Sequence, residues 1–122
     1  MNMTQVLSFA AAGAVAMTQV DTMGQFGNEV LDIARVAATR YELAVMRTAV
    51  TTEIAIGRVA DVRRDFRGFL RSNFESGEDD PSLDPWGQPY VFRQHPEHWE
   101  LRSHGPDGRG GTEDDMQVII TR

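Results

Sequence analysis

The chain has 122 residues, enough for one domain with a modest core, and a formal net charge of −6. That balance argues against a nucleic-acid partner, whose binding rests on lysine and arginine contacts to phosphate. Cysteine is absent, which excludes disulfides, thiolate zinc sites and a cysteine nucleophile.

Residues 1–20 carry no charged side chain, and the run V-L-S-F-A-A-A-G-A-V-A-M is apolar and alanine-rich. A spanning helix needs about 20 mostly apolar residues, and here Thr4, Gln5, Ser8, Thr18 and Gln19 dilute the ends. The segment lacks the basic start of a signal peptide. We expect a helix buried in lipid or among partner helices, with membrane insertion of 1–20 as one form of that burial.

From Met23 to Ala55 apolar residues recur at helical spacing. Met23, Phe26, Val30, Ala34, Ala37, Tyr41, Val45, Thr48 and Ala55 fall near one stripe, and Asp32, Arg35, Glu42, Arg47 and Glu53 largely off it. This predicts one amphipathic helix whose stripe faces either the protein's own sheet or a partner helix. Gly57 is a helix stop and Asp61 the N-cap of a second helix. That second helix, Val62 to Phe74, sets Val62, Phe66, Phe69, Leu70 and Phe74 on one face and Arg63, Arg64, Arg67 and Arg71 on the other. Such an arginine row reads as a solvated face, paired in part with Asp61 and Asp65.

Ser76 to Asp84 reads as an exposed acidic loop. Pro85-Trp86-Gly87 then turns the chain into a strand from Gln88 to Arg93. His95 to His98 is a hairpin turn, Trp99 to Ser103 the return strand, and the β-branched run Met116 to Thr121 the last strand. Trp86 and Trp99 are packing residues.

Between the last two strands lies S-H-G-P-D-G-R-G-G-T-E-D-D-M, residues 103–116. Gly105, Gly108, Gly110, Gly111 and Pro106 forbid a helix and mark a compact loop. Its carboxylates, Asp107, Glu113, Asp114 and Asp115, repel one another unless they are solvated or share a cation. Hard oxygen ligands on a glycine-rich backbone suit Ca²⁺, although the spacing is not that of an EF-hand. A solvated acidic loop and a Ca²⁺ loop both satisfy this composition. Zinc is the poorer reading, because His95, His98 and His104 have neither cysteines nor a His-Glu-x-x-His helix beside them. Ser103 beside His104 lacks a nucleophile elbow, so no catalytic residue is assigned.

The stretch S-x-G-P-D-G-x-x-G-T-E-D-D, with Asp84-Pro85-Trp86-Gly87-Gln88-Pro89-Tyr90 upstream, resembles the calcium loop and hairpin opening of the type II secretion system major pseudopilin family. The resemblance implies an α+β pilin-like fold: a long N-terminal helix over residues 1–56, then a head over 57–122. In that head a short helix and an antiparallel sheet of about three strands carry the loop 103–116. It implies that Asp107, Asp114 and Asp115 hold Ca²⁺ with the carbonyl of His104, that Ser103 ranks after these, and that Glu113 stays outside. The implied function is structural, not enzymatic. The subunit would assemble with itself and with other pseudopilins through the N-terminal helix, at the inner membrane with its head in the periplasm, in contact with membrane components of the secretion machinery. Two alternatives stand beside it. One is a non-polymerising adaptor or minor subunit, since residues 1–20 lack the early glutamate of that family. The other is a small secreted enzyme or binding domain, which would need a concave site away from the loop.

Overall fold

The computed structural model describes residues 7–8, 27–75, 77 and 79–122. Most of the apolar segment 1–20, the first residues of the helix expected from Met23, and Ser76 and Glu78 of the acidic loop lie outside the described residues. At β1 (Leu7–Ser8) the chain is extended and not helical as expected for 1–20. It runs parallel to β2 (Phe74–Glu75), whose backbone supplies a strand partner.

The long helix α1 spans Gly27–Ala55. It stops where the sequence places its stop. Gly57 takes φ +78°, the Arg58 N–H reaches the Glu53 carbonyl at 2.8 Å, and the Gly57 N–H reaches that of Ile54 at 3.2 Å. These two bonds are the paired closure of a Schellman end, which satisfies carbonyls the last turn would otherwise leave open.

The second helix is two helices, α2 (Val59–Arg64) and α3 (Phe66–Asn73). The break is at Asp65, whose backbone leaves the helical region (φ −147°, ψ 74°) while its carboxylate accepts the Gly68 N–H at 3.0 Å. Aspartate competes with the backbone in this way and so favours a cap over a helix interior. The apolar face assigned from sequence holds: Val62, Leu70 and Phe74 are buried, and Phe66 and Phe69 pack against them.

The sheet is antiparallel with order β3 (Val91–Gln94), β4 (His98–Ser103), β5 (Met116–Thr121). Alternation puts Trp99, Leu101 and Ser103 of β4 on one face, beside Phe92 of β3 and Val118 and Ile120 of β5. That face packs on Leu43, Met46 and Val50 of α1. The opposite face carries Glu100 and Arg102 of β4 with Gln117 and Ile119 of β5. Stacked rings of Phe66, Phe92 and Trp99, with centroids 5.3 and 5.2 Å apart, tie α3 to the sheet. This is the α+β arrangement expected of a pilin-like fold.

The face that α1 turns inward differs from the stripe read from sequence. Ala38, Thr39, Glu42, Leu43, Met46 and Val50 are buried, whereas Ala37, Thr48 and Ala55 are exposed and Tyr41 is 46% exposed. Val30, Ala34 and Val45 are half-buried, and Val45 reaches the core. Glu42, read as outward-facing, lies on the same inward face as Leu43, Met46 and Val50, and there its carboxylate accepts the Tyr90 hydroxyl.

The acidic loop before the sheet is less open than expected. Asp80 is clasped by Arg71 (3.1 Å) and lies 3.7 Å from Arg67, while Ser82 and Asp84 are buried. The Asp84 N–H to Gln88 carbonyl bond (2.7 Å) and the Tyr90 N–H to Ser82 carbonyl bond (3.0 Å) fold residues 82–90 into a tight hairpin-like turn.

Candidate functional site

The acidic loop leaves β4 at Ser103 and enters β5 at Met116, two residues paired across the sheet. Its base rests on Asp84. One carboxylate oxygen accepts the Trp86 N–H (3.0 Å) and the Gln88 N–H (2.9 Å), and the other accepts the Ser103 hydroxyl (2.7 Å). The Ser103 oxygen in turn accepts the Gly105 N–H at 3.1 Å. The Asp-Pro-Trp-Gly turn and the loop are therefore one hydrogen-bonded unit, and Asp84 and Ser103 are both buried within it. Trp86 extends the unit to the long helix, where its indole N–H donates to Asp32 at 3.0 Å.

Above this base the loop doubles back on itself. Gly105 adopts φ +71°, and a Cβ there would overlap the carbonyl oxygen of Asp114. Only glycine permits both the conformation and the approach. The Gly108 N–H closes a turn on the Gly105 carbonyl (3.1 Å), and the Asp107 carboxylate accepts the Arg109 N–H (2.9 Å).

The five residues expected at the metal are thus placed differently. Ser103 is buried, with its hydroxyl engaged by Asp84. His104 is half-buried, and its Nδ1, enclosed and without a hydrogen-bond partner among the described residues, lies 4.0 Å from Asp115 Oδ1. Asp107 and Asp114 are exposed. Asp115 is enclosed, its side chain 8% exposed, and its Oδ2 accepts from Arg102 Nη1 at 2.6 Å and from the Gly111 N–H at 2.8 Å. The return of the loop brings the backbone of Asp114 to Gly105 but does not gather the carboxylates. Among the described residues no group of three histidine, aspartate or glutamate side chains converges on a metal position. The donors are chemically suited to Ca²⁺, a hard cation that takes carboxylate and carbonyl oxygens.

Arg102, which the sequence reading passed over, dominates the electrostatics. Besides Asp115, its Nε donates to Glu100 Oε2 (2.8 Å) and its Nη2 to Gln117 Oε1 (2.8 Å). His95 Nε2 lies 3.0 Å from the other Glu100 oxygen. Burial pushes the carboxyls of Glu100 and Asp115 up. The hydrogen bonds from His95 and Arg102 to Glu100, and from Gly111 and Arg102 to Asp115, outweigh it and hold both below their ordinary values. The signal available in the sequence was the Glu100-x-Arg102 spacing, which puts the two side chains on one face of a strand.

Residues 69–122 match the family described as Type II secretion system (T2SS), protein G. The match spans α3 from Phe69, the Asp84 turn, the whole sheet and the loop. No curated protein matches the chain, and no solved structure does.

Proposed function

We propose that this chain is a structural subunit of a type II secretion pseudopilus or a closely related pilin-like filament. The observation that carries the reading is the family match over 69–122, because it covers both motifs that the Asp84–Ser103 hydrogen bond joins into one unit. The subunit joins other copies and other pseudopilins through the N-terminal helix. The outer side of α1 supports this with apolar residues left uncovered in the single chain, Ile33 at 68% exposure and Tyr41. The head stands on the periplasmic side of the inner membrane, and the apolar segment 1–20 supplies the membrane or filament-core part. Among the described residues no helix is long and apolar enough to cross a membrane. The role is structural, not catalytic.

Ca²⁺ belongs to this proposal as a stabiliser of the loop. Asp107, Asp114 and Asp115 would supply carboxylate oxygens, with the His104 carbonyl and then Ser103. Binding requires Asp107 and Asp114 to move towards Asp115.

The chain has no cysteine of its own, so one introduced at Tyr41 reports cleanly on neighbours. Oxidation of Tyr41→Cys in cells carrying the secretion machinery should give disulfide-linked dimers that contain the chain. Loss of the dimer when Ile33 is replaced by Asp would support the helix as the contact. A chain that stays monomeric throughout would overturn the assembly reading.

A further inference from the structure

Of the three carboxylates expected to bind metal, only Asp115 is sheltered, and a cation already stands against it. The sheet puts Arg102 there. Arg102 and Glu100 share a face of β4, Gln117 is directly opposite Arg102 across the β4–β5 register, and Asp115 immediately precedes β5. Each nitrogen of the guanidinium then finds an acceptor: Nε on Glu100, Nη1 on Asp115 and Nη2 on Gln117. A planar, permanently charged fork suits this task, and a lysine would reach one acceptor where arginine reaches three. Without Arg102, the enclosed carboxylates of Glu100 and Asp115 would keep, among the described residues, only the His95 and His104 rings, the Thr112 hydroxyl and the Gly111 N–H near them. Leaving a sheltered carboxylate unpaired is strongly unfavourable.

We infer that Arg102 is the loop's own counter-ion: it closes the loop at Asp115 without metal, and a divalent cation gains Asp115 only by displacing it. The second half rests on the proposed Ca²⁺ site; the first half does not. Displacement leaves neither partner stranded. Arg102 retains Glu100, whose Oε2 also lies 2.6 Å from Nη2. The second Asp115 oxygen, Oδ1, is enclosed as well, with the Thr112 hydroxyl at 3.4 Å and His104 Nδ1 at 4.0 Å, so Oδ2, where Arg102 stands, is the oxygen a cation must take. The chain thus carries two alternative ways of neutralising one loop, and its response to Ca²⁺ is blunted by an arginine on the neighbouring strand.

The test compares the parent chain with Arg102→Gln and with the milder Arg102→Lys. Hydrogen exchange is followed at the amides of residues 104–115 and in α1, in chelator and across a CaCl₂ series with MgCl₂ as control. In chelator, exchange in the loop should rise at least tenfold in Arg102→Gln and less in Arg102→Lys, with α1 unchanged. CaCl₂ should then restore protection in Arg102→Gln at a concentration at least tenfold lower than any at which it acts on the parent. Loop exchange in chelator that is the same in all three proteins would overturn the counter-ion role. Equal CaCl₂ midpoints for parent and variants would overturn the competition. A loop that loosens in Arg102→Gln and that CaCl₂ never restores supports the counter-ion role and overturns the calcium site, so the two failures read differently.

Discussion

Glu42 makes the docking of the long helix sensitive to pH. The residue is 8% exposed, on the inward face of α1, and its carboxylate accepts the hydroxyl of Tyr90, itself buried at the end of the Asp84 turn. Burial, with smaller contributions from Asp84 and Asp79, raises the Glu42 carboxyl from its ordinary value of 4.5 to about 7, against the opposing effect of the Tyr90 bond. A group whose folded-state pKa is raised binds its proton more tightly in the folded chain. The stability it contributes is fully present below about 4.5 and is lost as pH rises through about 7. At about 1.4 kcal/mol per pH unit, a rise of this size corresponds to about 3 kcal/mol. In a domain of this length that is on the order of 10 °C in melting temperature. Glu42→Gln stays neutral at every pH, and its amide oxygen still accepts from Tyr90. Melting curves between pH 4.5 and 8 should show the parent losing about that much relative to Glu42→Gln, with the steepest divergence between pH 5 and 7. Parallel profiles for the two proteins would refute the reasoning, since they would mean that Glu42 ionises as freely in the folded chain as in the unfolded one.

Three further substitutions probe the unit beneath the loop. Trp86→Phe keeps a ring but deletes the donor to Asp32, and should cost about 1 kcal/mol by chemical denaturation; a larger loss in Trp86→Phe/Asp32→Ala than in Trp86→Phe alone would show that Asp32 acts through other partners. Ser103→Ala strands a buried Asp84 oxygen and the Gly105 N–H together, and should cost about 2 kcal/mol; a melt equal to the parent's would remove Asp84–Ser103 as the joint between the two motifs. Gly105→Ala forces a side chain into φ +71° against the Asp114 carbonyl, so limited proteolysis should cut within residues 105–114 far sooner than in the parent; unchanged cleavage would mean that the loop does not double back there.

What the sequence made legible was local. The β-branched run Met116 to Thr121 forms β5 with the expected bounds, Gly57 ends α1, and the apolar face from Val62 to Phe74 is the buried one. What it hid depended on partners far along the chain. Glu42 lies inward beside Leu43, Met46 and Val50, and its hydrogen-bond partner there is Tyr90, 48 residues away, which the stripe assigned from hydropathy does not register. Asp65 interrupts a helix because its carboxylate captures the Gly68 amide, a competition that periodicity does not register. In the loop, the glycines announced a chain that folds back, and it does. The carboxylates left a solvated loop and a shared cation both open; what they did not announce is that Asp115 meets Arg102, a pairing fixed by strand register and the closing of the loop, not by motif.

Whether the chain assembles decides most directly whether it is a pseudopilus subunit. Electron microscopy of the native protein, retaining its N-terminal segment, should show short thin filaments, more numerous or longer with CaCl₂ than in chelator. Particles of single-subunit size in both conditions, at concentrations where the protein is folded, would contradict that role.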